Sequence, residues 1–141
     1  MSQENVQIVR SSFEAFNRGD LSGVLEPLSD DLVTYRAAPF GDSHHGPDGF
    51  LEATMDWIEG FAEWSVTPEE FIDAGDRVVV RMVQAGRGEG SGVPVEGVFW
   101  FVYTIRDGKI VRLEMHARQD QALEAAGLSP APPTIGKKPS Q

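Results

Sequence analysis

Val95-Glu96-Gly97-Val98-Phe99-Trp100-Phe101-Val102-Tyr103-Thr104-Ile105-Arg106-Asp107-Gly108-Lys109-Ile110-Val111-Arg112-Leu113-Glu114-Met115-His116-Ala117-Arg118 is the stretch that decides the fold. Both halves are rich in β-branched and aromatic residues, which suit a pleated, half-buried strand. Asp107-Gly108 between them is the two-residue signal of a tight hairpin. Val95 to Ile105 therefore reads as a long strand and Lys109 to Arg118 as its antiparallel return. Parity then sorts the side chains. On the return strand Arg112, Glu114, His116 and Arg118 make a polar face, so Val111, Leu113, Met115 and Ala117 should point inward. On the first strand Phe99, Phe101 and Tyr103 take the inward face and Val98, Trp100 and Val102 the outward one.

Upstream, Arg77 to Ala85 reads as a β-branched strand, joined to the long strand by the Gly-rich run Gly86 to Gly92. That run links two strands and lacks the helix and Lys of a phosphate-binding loop. Ala74-Gly75-Asp76 is a turn, and Trp64 to Ile72 a further strand. Before it, Pro47 and Asp48 suit the first turn of a helix, whose apolar stripe is Phe50, Leu51, Met55, Ile58, Phe61 and Ala62. His44-His45-Gly46 is read as the loop before it. Leu32 to Arg36 is strand-like. At the N-terminus, Val6, Val9, Phe13 and Phe16 recur at helical spacing from a Ser2 cap to a stop at Asn17-Arg18-Gly19. Asp20 caps a shorter helix carrying Leu21, Val24, Leu25 and Leu28. Gln119 to Ala126 makes a last helical turn or two, stopped by Gly127. Helices precede hairpins, an α+β order with one sheet face covered. Residues 1–128 are expected to be one domain and 129–141 a mobile Pro-rich tail.

Composition narrows the function. The 141 residues carry 22 acidic and 12 basic side chains, a net charge of −10. Such a field repels nucleic-acid phosphates and anionic membranes, so neither is an expected partner. The chain has no Cys, which removes thiolate chemistry and Cys-based zinc sites. No stretch approaches the roughly 20 apolar residues of a membrane span, and the N-terminus lacks a signal-like pattern. The expectation is a cytoplasmic protein. The three His include no pair at helical ligand spacing, so no metal is expected.

Several local sequences carry a resemblance from about Val6 to Leu128: Phe13 to Asp20, Gly46-Pro47-Asp48-Gly49, Asp73 to Val80, Asp107 to Val111 and Glu124 to Leu128. Together they resemble the SnoaL-like branch of the superfamily that includes nuclear transport factor 2 and ketosteroid isomerase. The resemblance implies a cone-shaped, cystatin-like α+β roll, in which a curved antiparallel sheet wraps around helices and leaves a pocket open at one end. It also implies cofactor-independent chemistry where there is chemistry at all, because relatives include cyclases, isomerases, dehydratases and epoxide hydrolases alongside binding domains. Fold alone does not choose among them.

The catalytic positions implied by the resemblance can be followed residue by residue. The acidic residue and the His of SnoaL-like cyclases fall on Met115 and Phe101. The base and oxyanion donors of ketosteroid isomerases fall on Arg36, Ser12 and Phe101. The Arg and paired Asp of epoxide hydrolases fall on Met82, Gln84 and Met115. None of Met82, Phe101 and Met115 can carry a proton. A register slip of one residue would instead turn His116 or Glu114 inward.

The leading expectation is thus a domain that binds a small, largely apolar molecule. Its ligand-contacting candidates are Phe16, Arg36, His45, Met55, Trp57, Phe61, Met82, Gln84, Phe99, Phe101, Tyr103, Leu113 and Met115. Arg36 is read either as a clamp for a carboxylate or enolate, or as an Arg at the cone's mouth paired with acids. The enzymatic alternative is an isomerase, cyclase or dehydratase using His45 or His116 as base and Arg36 or Tyr103 for an oxyanion. A third reading is a non-catalytic interaction module. An exposed Trp100 between β-branched neighbours would mark a homodimer interface on the outer sheet face.

Overall fold

A computed structural model describes residues 2–128; the expected tail, 129–141, lies outside the described residues. Helix α1, Ser2–Asn17, ends where Gly19 takes φ +75, and Asp20 then caps α2, Leu21–Leu25, by accepting from the Gly23 N–H at 3.0 Å. Strand β1, Leu28–Arg36, starts earlier than the sequence suggests. Pro27 cannot continue the helix, and Leu28 belongs to a strand rather than to the helix. Next come β2, Asp42–His45, and α3, Gly46–Ile58. They are followed by β3, Phe61–Ala74, β4, Arg77–Gly88, β5, Pro94–Arg106, β6, Lys109–His116, and α4, Gln119–Ala125.

The α+β architecture is the one read from the sequence. Six strands form one curved, unclosed sheet in the order β2-β1-β6-β5-β4-β3. Neighbours pair antiparallel except β1 against β6, which run parallel with Arg36 opposite Met115. The hairpin signals could not show that pair, because its strands lie far apart in the chain. Asp107 and Gly108 turn the β5–β6 hairpin at φ 53 and 77, the mirror-image turn that matches strand twist. A register shift follows: Ile105 faces Ile110 while Thr104 faces Arg112. The unpaired residue is Val111, so Ile110, fully buried, takes the core place expected of Val111.

Helix α3 stops at Ile58, and Phe61 and Ala62 begin β3 instead of extending the helix. α1 packs on β3 and β4 while α3 packs on β1 and β2, so the two helices share the concave face. Their core includes Val9, Phe13, Leu32, Val78, Val80, Met82, Ile105, Ile110 and Leu113. The convex face is not bare. Ala122 and Ala126 close a second cluster over Val79 and Val102, with Trp100 and Leu128 at its edge. Val102 is fully buried and Trp100 half-buried, which corrects the picture of an open Val98-Trp100-Val102 patch. The small Ala residues of α4 let that helix lie close to the sheet. Among the described residues no helix is long and apolar enough to cross a membrane.

Candidate functional site

Between the helices and the sheet lies a cavity of about 290 Å³. Alternation along the strands turns Met82 and Gln84 of β4, Phe99, Phe101 and Tyr103 of β5 and Met115 of β6 into it. Helix α1 contributes Ser12, Phe13 and Phe16, and α3 contributes Phe50, Ala53, Thr54, Trp57 and Ile58 at spacings of three and four. Arg36 and the segment Ala37 to Phe40 complete the rim, and Trp64 and Val66 complete the wall.

Phe16, Arg36, Trp57, Met82, Gln84, Phe99, Phe101, Tyr103 and Met115 thus converge on one space, while four other candidates lie off it. His45 pairs with Val33, whereas its neighbour His44 pairs with Thr34. Parity therefore turns His45 to the opposite face of the sheet, where it is exposed. Met55 is 53% exposed, because one step along α3 from Thr54 rotates a side chain about 100° away. Phe61 sits behind the wall, its ring 5.3 Å from Trp57 and 5.0 Å from Trp64. Leu113, 1% exposed, packs into the core beneath the cavity. The Ala37 to Phe40 rim has no periodicity and so carries no signal in the sequence. Thr54 was discoverable as the residue one helical turn from Phe50.

The polar groups are few. Trp57 donates its indole N–H to Gln84 Oε1 at 2.9 Å, and this fixes the amide so that Gln84 Nε2 lies 3.6 Å from Met82 Sδ. Tyr103 is 6% exposed, its ring set edge-on to Phe13 at 6.1 Å, and burial pushes its hydroxyl above the ordinary tyrosine range. It enters the cavity as a neutral donor. Thr54 Oγ1 is buried with no hydrogen-bond partner among the described residues.

Arg36 carries the site's one strong ionic network. Its Nε and Nη2 donate to the two Asp42 oxygens at 2.8 and 2.6 Å, and its Nη1 donates to Asp56 Oδ2 at 3.0 Å. The Phe40 ring stacks on the guanidinium at 4.3 Å. The hydrogen bond to Asp42 holds the guanidinium protonated and lowers the Asp42 carboxyl to about 2. His44 extends the network, with Nδ1 3.2 Å from Glu52 Oε1 and Nε2 3.5 Å from Asp42 Oδ1. Among the described residues no group of three His, Asp or Glu is arranged to hold a metal ion.

His116 touches the cavity, but not with its chemistry. It pairs with Trp100 on the convex face, its ring 6.4 Å from Tyr35 and its Nε2 3.5 Å from Glu114 Oε1. Both ring nitrogens are sealed by protein, so neither is presented to an occupant of the cavity. Burial raises the Glu114 carboxyl, yet His116 and Arg112 outweigh it and leave Glu114 below its usual range.

Comparison with known proteins bears on the family and the fold. The SnoaL-like domain family model matches residues 9–113. An NTF2-like protein from Burkholderia xenovorans is 30% identical, with 89% of this chain and 97% of that chain covered and a TM-score of 0.69. An NTF2-like protein of unknown function from Burkholderia pseudomallei is 29% identical, over 86% and 95% of the two chains, with a TM-score of 0.72. A proposed polyketide cyclase from Sinorhizobium meliloti is 30% identical, over 78% and 94%, with a TM-score of 0.64. A search of curated proteins gives no match. With its family match covering most of the domain and its cone built as in these relatives, the chain belongs to the SnoaL-like family of the NTF2-like and ketosteroid isomerase-like superfamily.

Proposed function

We propose that the protein holds a small, largely apolar molecule in its cone and does not use the cone for proton transfer. The observation that carries this reading is the identity of three wall residues. Met82, Phe101 and Met115 line the cavity where enzymes of this fold are expected to place carboxylates or His, and no Asp or Glu among the described residues lines it. General acid–base catalysis needs a titratable group within hydrogen-bond reach of the reacting atom. Here the neutral donors of Tyr103 and Gln84 would orient an occupant within an aromatic wall. Native mass spectrometry of protein isolated from its source cells tests this. A retained, chemically unmodified small molecule supports the reading, and turnover of that molecule by the purified protein overturns it.

A cyclase-type activity is the second reading, favoured by the likeness to the proposed polyketide cyclase from Sinorhizobium meliloti. It would need the Tyr103 hydroxyl to stabilise an oxyanion, with the proton carried by solvent. The same mass spectra count subunits and so test self-association through the convex face, proposed from Val98 and Trp100, which stay half-buried, Trp100 at the edge of the α4 cluster.

A further inference from the structure

We infer that the cavity accepts uncharged molecules bearing a hydrogen-bond acceptor, which Tyr103 meets, and disfavours carboxylates; this rests on the cavity being a binding site. The first observation is an unused donor. Tyr103 is 6% exposed and lines the cavity, yet its hydroxyl has no hydrogen-bond partner among the described residues. Phe13 and Phe101 flank its ring at 6.1 and 6.5 Å. The hydroxyl opens onto an apolar cavity with no protein acceptor, and an occupant that brings an acceptor completes its hydrogen bonding. Desolvation keeps the group protonated, so it donates.

The second observation concerns charge. Arg36 is the one Arg or Lys among the described residues that line the cavity. Its Nε and one N–H of Nη2 donate to Asp42 and one N–H of Nη1 donates to Asp56, so two carboxylates already face one guanidinium. That cluster is net negative, and the whole chain carries −10. A carboxylate entering the cavity would lose its hydration and find no free cation. The sequence alone left a carboxylate clamp open for Arg36, but its partners close that role. Gln84 adds a second neutral donor, because the Trp57 indole fixes its carbonyl and turns the NH₂ toward a thioether, which is a weak acceptor.

The test is a protein-observed NMR titration with [¹³C-methyl]methionine label, in which the Met82 and Met115 methyls report occupancy of the cavity. Three probes are compared: 2-isopropenylnaphthalene, methyl 2-naphthyl ketone, which has the same shape with C=O in place of C=CH2, and 2-naphthoate. The ketone is expected to bind about 3- to 10-fold more tightly than the alkene, the worth of one neutral hydrogen bond. Naphthoate is expected to bind at least about tenfold more weakly than the ketone. Tyr103→Phe should reduce the ketone's advantage over the alkene to less than about twofold, with a free spectrum showing the native fold. Naphthoate binding as tightly as the ketone, or a ketone advantage that survives Tyr103→Phe, overturns the inference. Alkene binding with no gain for the ketone overturns it while leaving the cavity as a binding site. If none of the three moves the Met82 and Met115 signals, the binding reading itself fails and this inference with it.

Discussion

Arg36 and Asp42 face each other across the antiparallel pair of β1 and β2, the guanidinium engaging both carboxylate oxygens at 2.8 and 2.6 Å. The pair joins an edge strand of four residues to the rest of the sheet, and Asp56 reaches the same guanidinium from α3. One side chain thus ties together three elements around the cavity rim. Arg is suited to this because its fork matches a carboxylate side-on while a further N–H remains for a second partner.

Asp42→Asn should destabilise the fold by about 1–3 kcal/mol, the usual worth of hydrogen bonds to a charged group. The Asp42 side chain is 40% exposed, so solvent screening favours the lower part of that range. Asp42→Ala combined with Asp56→Ala should cost more than the sum of the single changes. It leaves a guanidinium of 9% exposure without any carboxylate partner. Urea denaturation of Asp42→Asn and of the four proteins in the cycle measures both values.

The same pair sets a direction with pH. Arg36 lowers the folded-state carboxyl of Asp42 to about 2, below its unfolded value near 3.8. A depressed carboxylate contributes stability that is present above the unfolded value and is lost as pH falls through the folded one. Wild-type stability attributable to the pair should therefore hold at pH 5 and above and decline between roughly pH 4 and pH 2. Asp42→Asn should flatten the curve in that window, as read by denaturation midpoints at each pH.

Met82→Ala and Met55→Ala should behave oppositely although both were candidate cavity residues. Met82 is fully buried in β4, so its truncation enlarges the cavity and should cost about 2–5 kcal/mol. Met55 is 53% exposed, so its loss should stay within about 0.5 kcal/mol. Equal costs would mean that the side of α3 facing the sheet has been misassigned. Thermal or chemical denaturation of the two variants decides it.

These two methionines show where the sequence was legible. Period-two alternation placed Phe99, Phe101, Tyr103 and Met115 on one face, because strand parity depends only on neighbouring residues, and the family resemblance put Met82 with them. The helix was harder. Phe50, Leu51 and Met55 fit an apolar stripe as well as Phe50, Ala53 and Trp57 do, and only the packing of α3 on β1 selects the second. Three further features depend on groups that only the fold brings together: the parallel register of β1 with β6, the acids beside Arg36 and the roof that α4 makes over Val102. Asp42 and Asp56 are two of 22 acidic residues, and composition could not say which of them meet the guanidinium. The short strand β2 was hidden because Asp42 to His45 has no apolar residue to announce it.

Gly49→Ala should destabilise the protein even though Ala is the better helix former by about 1 kcal/mol. Gly49 is buried in the first turn of α3, and an added Cβ would meet the His44 carbonyl carbon at 2.9 Å and its Cβ at 3.1 Å. The first of these is backbone, so β2 or the start of α3 must move. A net loss of about 1–3 kcal/mol is expected. A stabilised variant would show that α3 and β2 have room to separate, which denaturant melts would reveal directly.

Tyr103→Phe separates stability from recognition. In most buried sites that change removes a hydrogen bond and weakens the fold, because a partner is left unpaired. Tyr103 has no such partner among the described residues, and Phe13, Phe101 and the rest of its apolar surroundings would receive a phenyl ring without rearrangement. Ligand-free Tyr103→Phe should therefore melt at the wild-type temperature or slightly above it, within about 1 kcal/mol of stability. A drop of several degrees would show that the hydroxyl is engaged by the protein itself. An unchanged melt would leave the hydroxyl without benefit to the fold and available to an occupant of the cavity.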